Sequence, residues 1–317
     1  MKRKFLGMLV VALVATSLAA TSIFAAVSVF ATGMAAPQAI TRAPSGDFFV
    51  TDADRDGPIW SIPASGGTAT MLASAGYSLR DHLLLPAGFG SVGGQLLVVG
   101  GGATGSASTM DTSSFAVTPY ASKRQTLWTT PVLADSFGSL SGFVLVTNQG
   151  HATFRGRGSV DFFAPDGTVG TLTTLPSVTT PYGAVLAPAG FGDVGGTLLV
   201  SDAQGPGIYS VDPSGQVTSF TTIPLGAGQG GLRQIAFAPK GWGPYSGNLF
   251  VSLSSQDIVV VNQRGAIIGR ISGQFNPRGL LFTTISGDTT LLFSDTSQGT
   301  VRRAGPEDVV RSGSDGT

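Results

Sequence analysis

The 317-residue chain contains no cysteine. That absence excludes disulfides, thiolate zinc sites, iron–sulfur clusters and cysteine nucleophiles together. It leaves export open, because a core of this size needs no covalent staple. Histidine occurs only as His82 and His151, and glutamate only as Glu307. General acid–base chemistry therefore has few carriers. Charged residues make up 11% of the chain, well below the roughly 25% of an average globular domain. Lys plus Arg and Asp plus Glu both number 18, so the net charge is zero. No electrostatic case exists for nucleic acid or for an anionic membrane surface. Helical periodicity is missing beyond the N-terminus. What the chain does hold is 42% hydrophobic residues, 46 Gly and 18 Pro, a balance that suits many short strands joined by tight turns.

The N-terminus reads as a targeting segment over residues 1–36. Basic Met1-Lys2-Arg3-Lys4 precedes an uncharged, largely apolar run from Phe5 to Ala31. Small residues fit cleavage of a signal peptide after Ala19 or after Ala31. Left uncleaved, the run is long enough to anchor the chain as a membrane-spanning helix. Either way the remainder is expected outside the cytoplasm, secreted, periplasmic or at the cell surface. Contact with a membrane is expected only through such an anchor.

The remainder repeats. FFVTD, LLVVG, VLVTN, LLVSD, LFVSL and LLFSD begin at residues 48, 96, 144, 198, 249 and 291, a spacing of 42 to 54 residues. Such a period belongs to propellers more than to helical solenoids. Four of the six cores follow a Gly-aromatic-Gly turn or a close relative: GFGSVGG from Gly88, SFGSLSG from Ser136, GFGDVGG from Gly190 and GWGPYSG from Gly241. Apolar or β-branched runs flank each core, giving about four strands per unit. A four-stranded sheet cannot bury both faces alone, whereas six packed around an axis bury one another. The expected fold is all-β: a six-bladed β-propeller of four-stranded blades over residues 37–306. Residues 307–317 are expected as a C-terminal strand or disordered tail.

The unit LLVSDAQGPGIYSVDPSGQVTSF (Leu198–Phe220) and the unit from Asn276 to Pro306 resemble NHL-type repeats. They are also similar to repeats of regucalcin/gluconolactonase and streptogramin-lyase propellers. GWGPYSGNLFVSL (Gly241–Leu253) resembles a turn of soluble sugar dehydrogenase propellers. These families share a fold and differ in function, so the resemblance alone assigns none. It implies that each first strand lines a central channel. The loops before first strands and after second strands then build the top face. The first set carries Arg80, Asp81, His82, Tyr182, Arg233, Asn276 and Arg278, the candidate ligand-binding residues. The second carries Asp52–Gly57, His151, Arg155, Arg157, Asp202, Asp257 and Asp295. A mouth ringed with Arg can bind an anionic group through charge-assisted hydrogen bonds. Alternatively, each Arg bonds a neighbouring carbonyl or Asp and keeps the blades in register.

TDADRDG (Thr51–Gly57) opens like a calcium loop, with Asp52, Asp54 and Asp56 as candidate ligands of a structural calcium. Its twelfth position is Pro63, which has no side-chain oxygen. Asp52 also aligns with Asp202 and Asp295, so an Asx-type turn explains it equally. The gluconolactonase-like families hold a divalent metal with a first-blade Glu and Asn or Asp from other blades. Here the matching region near Ala39-Ile40 carries no acid, and Asn276 alone sits near one such ligand. Streptogramin lyases pair a His with a nearby Glu, and neither His82 nor His151 has one. The expectation is an exported, non-catalytic module that binds a small ligand, glycan or protein through its top face, with no cofactor beyond that calcium. The alternative is a metal-dependent hydrolase, lactonase or lyase of the gluconolactonase-like class.

Overall fold

Each repeated core is apolar at consecutive positions, so both of its faces need cover. The computed structural model provides it. The structure describes residues 27–312, apart from 102–103, 125, 151–157, 176–179, 227–229 and 255. Six sheets follow one another along the chain, antiparallel except for a short parallel pairing of residues 31–32 with 67–68. Their innermost strands are Pro37–Arg42, Leu79–Leu84, Trp128–Leu133, Pro181–Leu186, Leu232–Phe237 and Pro277–Ile285. Every one of the repeated cores forms the second strand of its blade and is buried along its length.

Successive strand residues point to opposite faces, and the core divides accordingly. Leu96 and Val98 pack toward blade one with Phe49 and Ile59, while Leu97 and Val99 pack toward blade three with Trp128 and Val146. One apolar cluster fills each of the six junctions between neighbouring blades. The Gly-aromatic-Gly turns lie between first and second strands, as short 3-10 turns. Their aromatics, Phe89, Phe137, Phe191 and Trp242, are buried in these junctions. Gly90 adopts φ +51°, and a Cβ there would overlap the carbonyl oxygen of Pro165 in the next blade. The turn needs glycine both for its backbone and for that close approach.

The ring closes through the N-terminal side. Ser28–Thr32 pairs antiparallel with Thr300–Ala304 and supplies the outer strand of blade six. Phe30 packs edge-on against Phe48 of blade one, with ring centroids 5.6 Å apart. The propeller thus includes Ser28–Thr32, inside the stretch read from sequence as a targeting segment ending at residue 36. The reason is pairing: the end of that apolar run is a strand whose partner lies near residue 300. Residues 1–26 of the segment expected as a signal peptide or anchor lie outside the described residues. Among the described residues no helix is long and apolar enough to cross a membrane. At the other end, Val310–Arg311 adds a fifth strand to blade five, pairing with Ile267–Ser272.

Candidate functional site

Every innermost strand carries a register irregularity against its second strand. The shifts fall between Pro37 and Ile40, Leu79 and Asp81, Trp128 and Pro131, Pro181 and Ala184, Leu232 and Ile235, and Pro277 and Leu280. The residues inside them include Gln38, Arg80, Thr129, Tyr182, Arg233 and Arg278. A bulge re-aims side chains and interrupts the hydrogen-bond ladder. A buried carbonyl freed in this way must find another donor. Hydroxyls from the preceding blade supply it: Thr147 Oγ1 donates to Tyr182 O (2.7 Å), Ser201 Oγ to Arg233 O (2.6 Å) and Ser252 Oγ to Arg278 O (3.0 Å). Ser294 Oγ donates to Gln38 O across the closure. This accounts for the Ser or Thr at the fourth position of most cores.

The fifth position closes the loop above it. Asp52 accepts from the backbone N–H groups of Ala35, Ala36 and Asp54. Asn148 accepts from Leu127 and Gly150, Asp202 from Gln204, and Asp295 from Asn276 and Ser297. Asp52 is therefore a turn former shared with three other blades. Asp54 and Asp56 are exposed, and Asp54 Oδ1 accepts the N–H of Arg55. Among the described residues no group of three His, Asp or Glu side chains is arranged to hold a metal ion.

The bulged side chains meet at the top of the channel around a cavity of about 440 Å³. Gln38, Arg80, Tyr182, Arg233 and Arg278 form its floor and walls. Gln149, Thr180, Gln204 and Thr296 reach it from the top-face loops, between the small side chains of Ala36, Ala53 and Ala203. Tyr182 Oη donates to Gln38 Oε1 (2.8 Å). The Arg233 guanidinium lies over the Tyr182 ring at 5.1 Å and donates to Ser254 Oγ (3.2 Å). The Nε atoms of Arg80, Arg233 and Arg278 are buried without a hydrogen-bond partner. Among the described residues none of the three forms a salt bridge. Arg233 is pushed down to about 10, first by burial and then by the like charge of Arg278. Arg278 is lowered by burial, an effect partly offset by Tyr182 and reinforced by Arg80. Other arginines do bond neighbours: Arg302 pairs with Asp295, Arg270 with Asp257, and Arg42 reaches Thr284 O.

Of the residues picked from sequence, Arg80, Tyr182, Arg233 and Arg278 come together at the mouth. Asp81 sits lower in the channel, where it accepts from Gln234 Nε2 and from the His82 N–H. Burial pushes its carboxyl up to about 7. His82 does not line the mouth. It is buried, sharing a hydrogen bond with Thr51 through Nδ1 (3.0 Å), and burial holds it down to about 3. Asn276 does not line the mouth either: its backbone N–H and carbonyl pin Asp295 and Thr296. His151, Arg155 and Arg157 lie outside the described residues. Gln38 and the two loop glutamines escaped the sequence reading. Gln38 holds the same bulge position as Arg80, Arg233 and Arg278, so aligning the first strands rather than the second would have exposed it.

No family model matches the sequence, and no curated protein matches it. Solved structures do match. A gluconolactonase from Xanthomonas campestris shares 14% identity and a TM-score of 0.64, with 90% of this chain and 89% of that one covered. Regucalcin from Agrobacterium tumefaciens, a calcium-binding protein, shares 15% identity and a TM-score of 0.63, covering 88% and 95%. Virginiamycin B lyase from Staphylococcus aureus gives 14% and 0.56, covering 85% and 94%. At such identities the likeness carries the fold alone. The chain is a six-bladed β-propeller, similar in fold to the gluconolactonase and regucalcin structures.

Proposed function

We propose that this propeller is an exported binding module that takes a small polar ligand in the mouth of its channel. One observation carries the reading. The side chains of Arg80, Arg233 and Arg278 line a single cavity and none of them forms a salt bridge among the described residues, and like charges gathered in this way repel one another unless a guest offsets them. The amide and hydroxyl groups around them suit a hydrogen-bonding guest. The enzymatic reading, a metal-dependent hydrolase or lyase, draws support from the gluconolactonase and lyase neighbours. The donor set fits it poorly: three cations at the mouth repel a divalent metal, and Asp81, which lies below them, is engaged by Gln234.

The test is a thermal-shift panel of neutral sugars, sugar acids, sugar phosphates and short peptides. A true ligand raises the Tm of the wild type and fails to raise that of Tyr182→Ala. A shift unaltered by that substitution would move the site elsewhere. Hydrolysis of a sugar lactone that a chelator abolishes and a divalent metal restores would favour the enzyme instead.

A further inference from the structure

We infer that the group seated among Arg80, Arg233 and Arg278 is a tetrahedral oxyanion, carried by a phosphate or sulfate monoester. The inference rests on the mouth being a ligand site, and adds the chemistry of its guest. The three arginines come from blades two, five and six, so their donors approach the channel from different sides. They bring three positive charges to one cavity, and no carboxylate among the described residues forms a salt bridge with any of them. Arg80 and Arg278 repel Arg233, and Arg80 repels Arg278. A protein that only needed blade register would pair these groups, as it pairs Arg270 and Arg302.

Shape then narrows the guest. A carboxylate presents two coplanar oxygens, which one guanidinium fork satisfies. A tetrahedral anion presents oxygens in several directions and can accept from donors spread around a ring. A phosphate monoester carries nearly two negative charges above its second ionisation near pH 6, which offsets most of the charge at the mouth. The ester's organic part meets Gln149, Thr180, Gln204 and Thr296. These amides and hydroxyls read hydroxyl groups rather than hydrocarbon. A phosphorylated or sulfated polyhydroxy compound, such as a hexose phosphate, is the class that matches both halves.

Isothermal titration at low ionic strength tests this with inorganic phosphate, sulfate, glucose 6-phosphate, glucose and gluconate. The expected result is saturable binding of phosphate or sulfate, tighter binding of the hexose phosphate, and silence from glucose. Hexose phosphate affinity should rise between pH 5 and pH 7.5 as the monoester becomes dianionic. Arg233→Gln and Arg278→Gln should each weaken binding by roughly tenfold or more, the scale of one lost charge-assisted bond. Arg278→Gln should not lower the Tm, because it removes a charge with no salt bridge, whereas Arg233→Gln also gives up the bond to Ser254 Oγ. Absence of heat from all three oxyanions overturns the inference. So does phosphate heat that both variants leave unchanged, which marks an adventitious ion only. Gluconate or glucose binding that is lost in the same variants, without phosphate binding, overturns the oxyanion and leaves the binding site standing. Silence from all five compounds counts against both.

Discussion

Asp81 occupies the narrow part of the channel with Arg80 and Arg278, 5% exposed. Three donors reach its carboxylate: the His82 N–H, Gln234 and Thr130. Desolvation outweighs them and raises its pKa from 3.8 to about 7. A carboxyl raised in the folded state stabilises the fold most fully below its unfolded value and loses that contribution as pH climbs through the folded one. Ionising Asp81 in place therefore costs roughly 4 kcal/mol in full, of which about 3 kcal/mol develops between pH 5 and pH 8.5. Asp81→Asn removes the ionisation and retains an acceptor for the His82 N–H. The assay is urea denaturation of both proteins at pH 5 and at pH 8.5. The stability of the variant relative to wild type should rise by about 3 kcal/mol across that interval. His82 titrates in the same scans: it is held down to about 3, so its contribution grows as pH rises toward 6.5. It does so in both proteins and cancels from the difference. Parallel pH profiles for the two proteins would refute the buried-carboxyl argument.

Three further outcomes follow from the same structure. Ser252→Ala strips the donor from the bulged carbonyl of Arg278 and should cost about 1–3 kcal/mol by denaturation, the range for a buried group left unpaired; Ser246→Ala, half-buried on a hairpin turn, should cost less than about 1 kcal/mol. Phe30→Ala opens the closing junction and should cost roughly 3–5 kcal/mol; N-terminal sequencing of an exported, trimmed chain should accordingly begin before Ser28, never after Ala31. Calorimetric titration with calcium should give the same trace for wild type and for the Asp54→Ala/Asp56→Ala variant, because Asp52 is committed to backbone donors; a heat present only in wild type would establish the acidic loop as a metal site.

The repeat was legible because a buried propeller strand writes itself, in most blades, as three apolar residues followed by a hydroxyl and an Asp or Asn. Blade count, blade order and the packing role of the Gly-aromatic-Gly turns all follow from that pattern. The closing strand was not legible: Val27–Phe30 continue the apolar run from Phe5 without a break, and nothing local reveals a partner near residue 300. At the site, Arg80, Arg233 and Arg278 stood out as charges in a chain with few. Gln38 did not, since its place depends on a bulge that only the strand register discloses. His82 was misread as a mouth residue for the same reason. It lies past the register shift of its strand and turns toward Thr51 of blade one.

The central claim is that three guanidinium groups, none with a salt-bridge partner among the described residues, make the channel mouth a receiving site. Arginine Nε–H resonances measure it most directly, because those of Arg80, Arg233 and Arg278 are shielded from solvent. A ¹⁵N-resolved spectrum, assigned by Arg→Gln variants, should show these three signals moving together as a hexose phosphate is added, while exposed arginines such as Arg55 stay still. Three signals that remain fixed at saturating phosphate, sulfate and sugar would contradict the account.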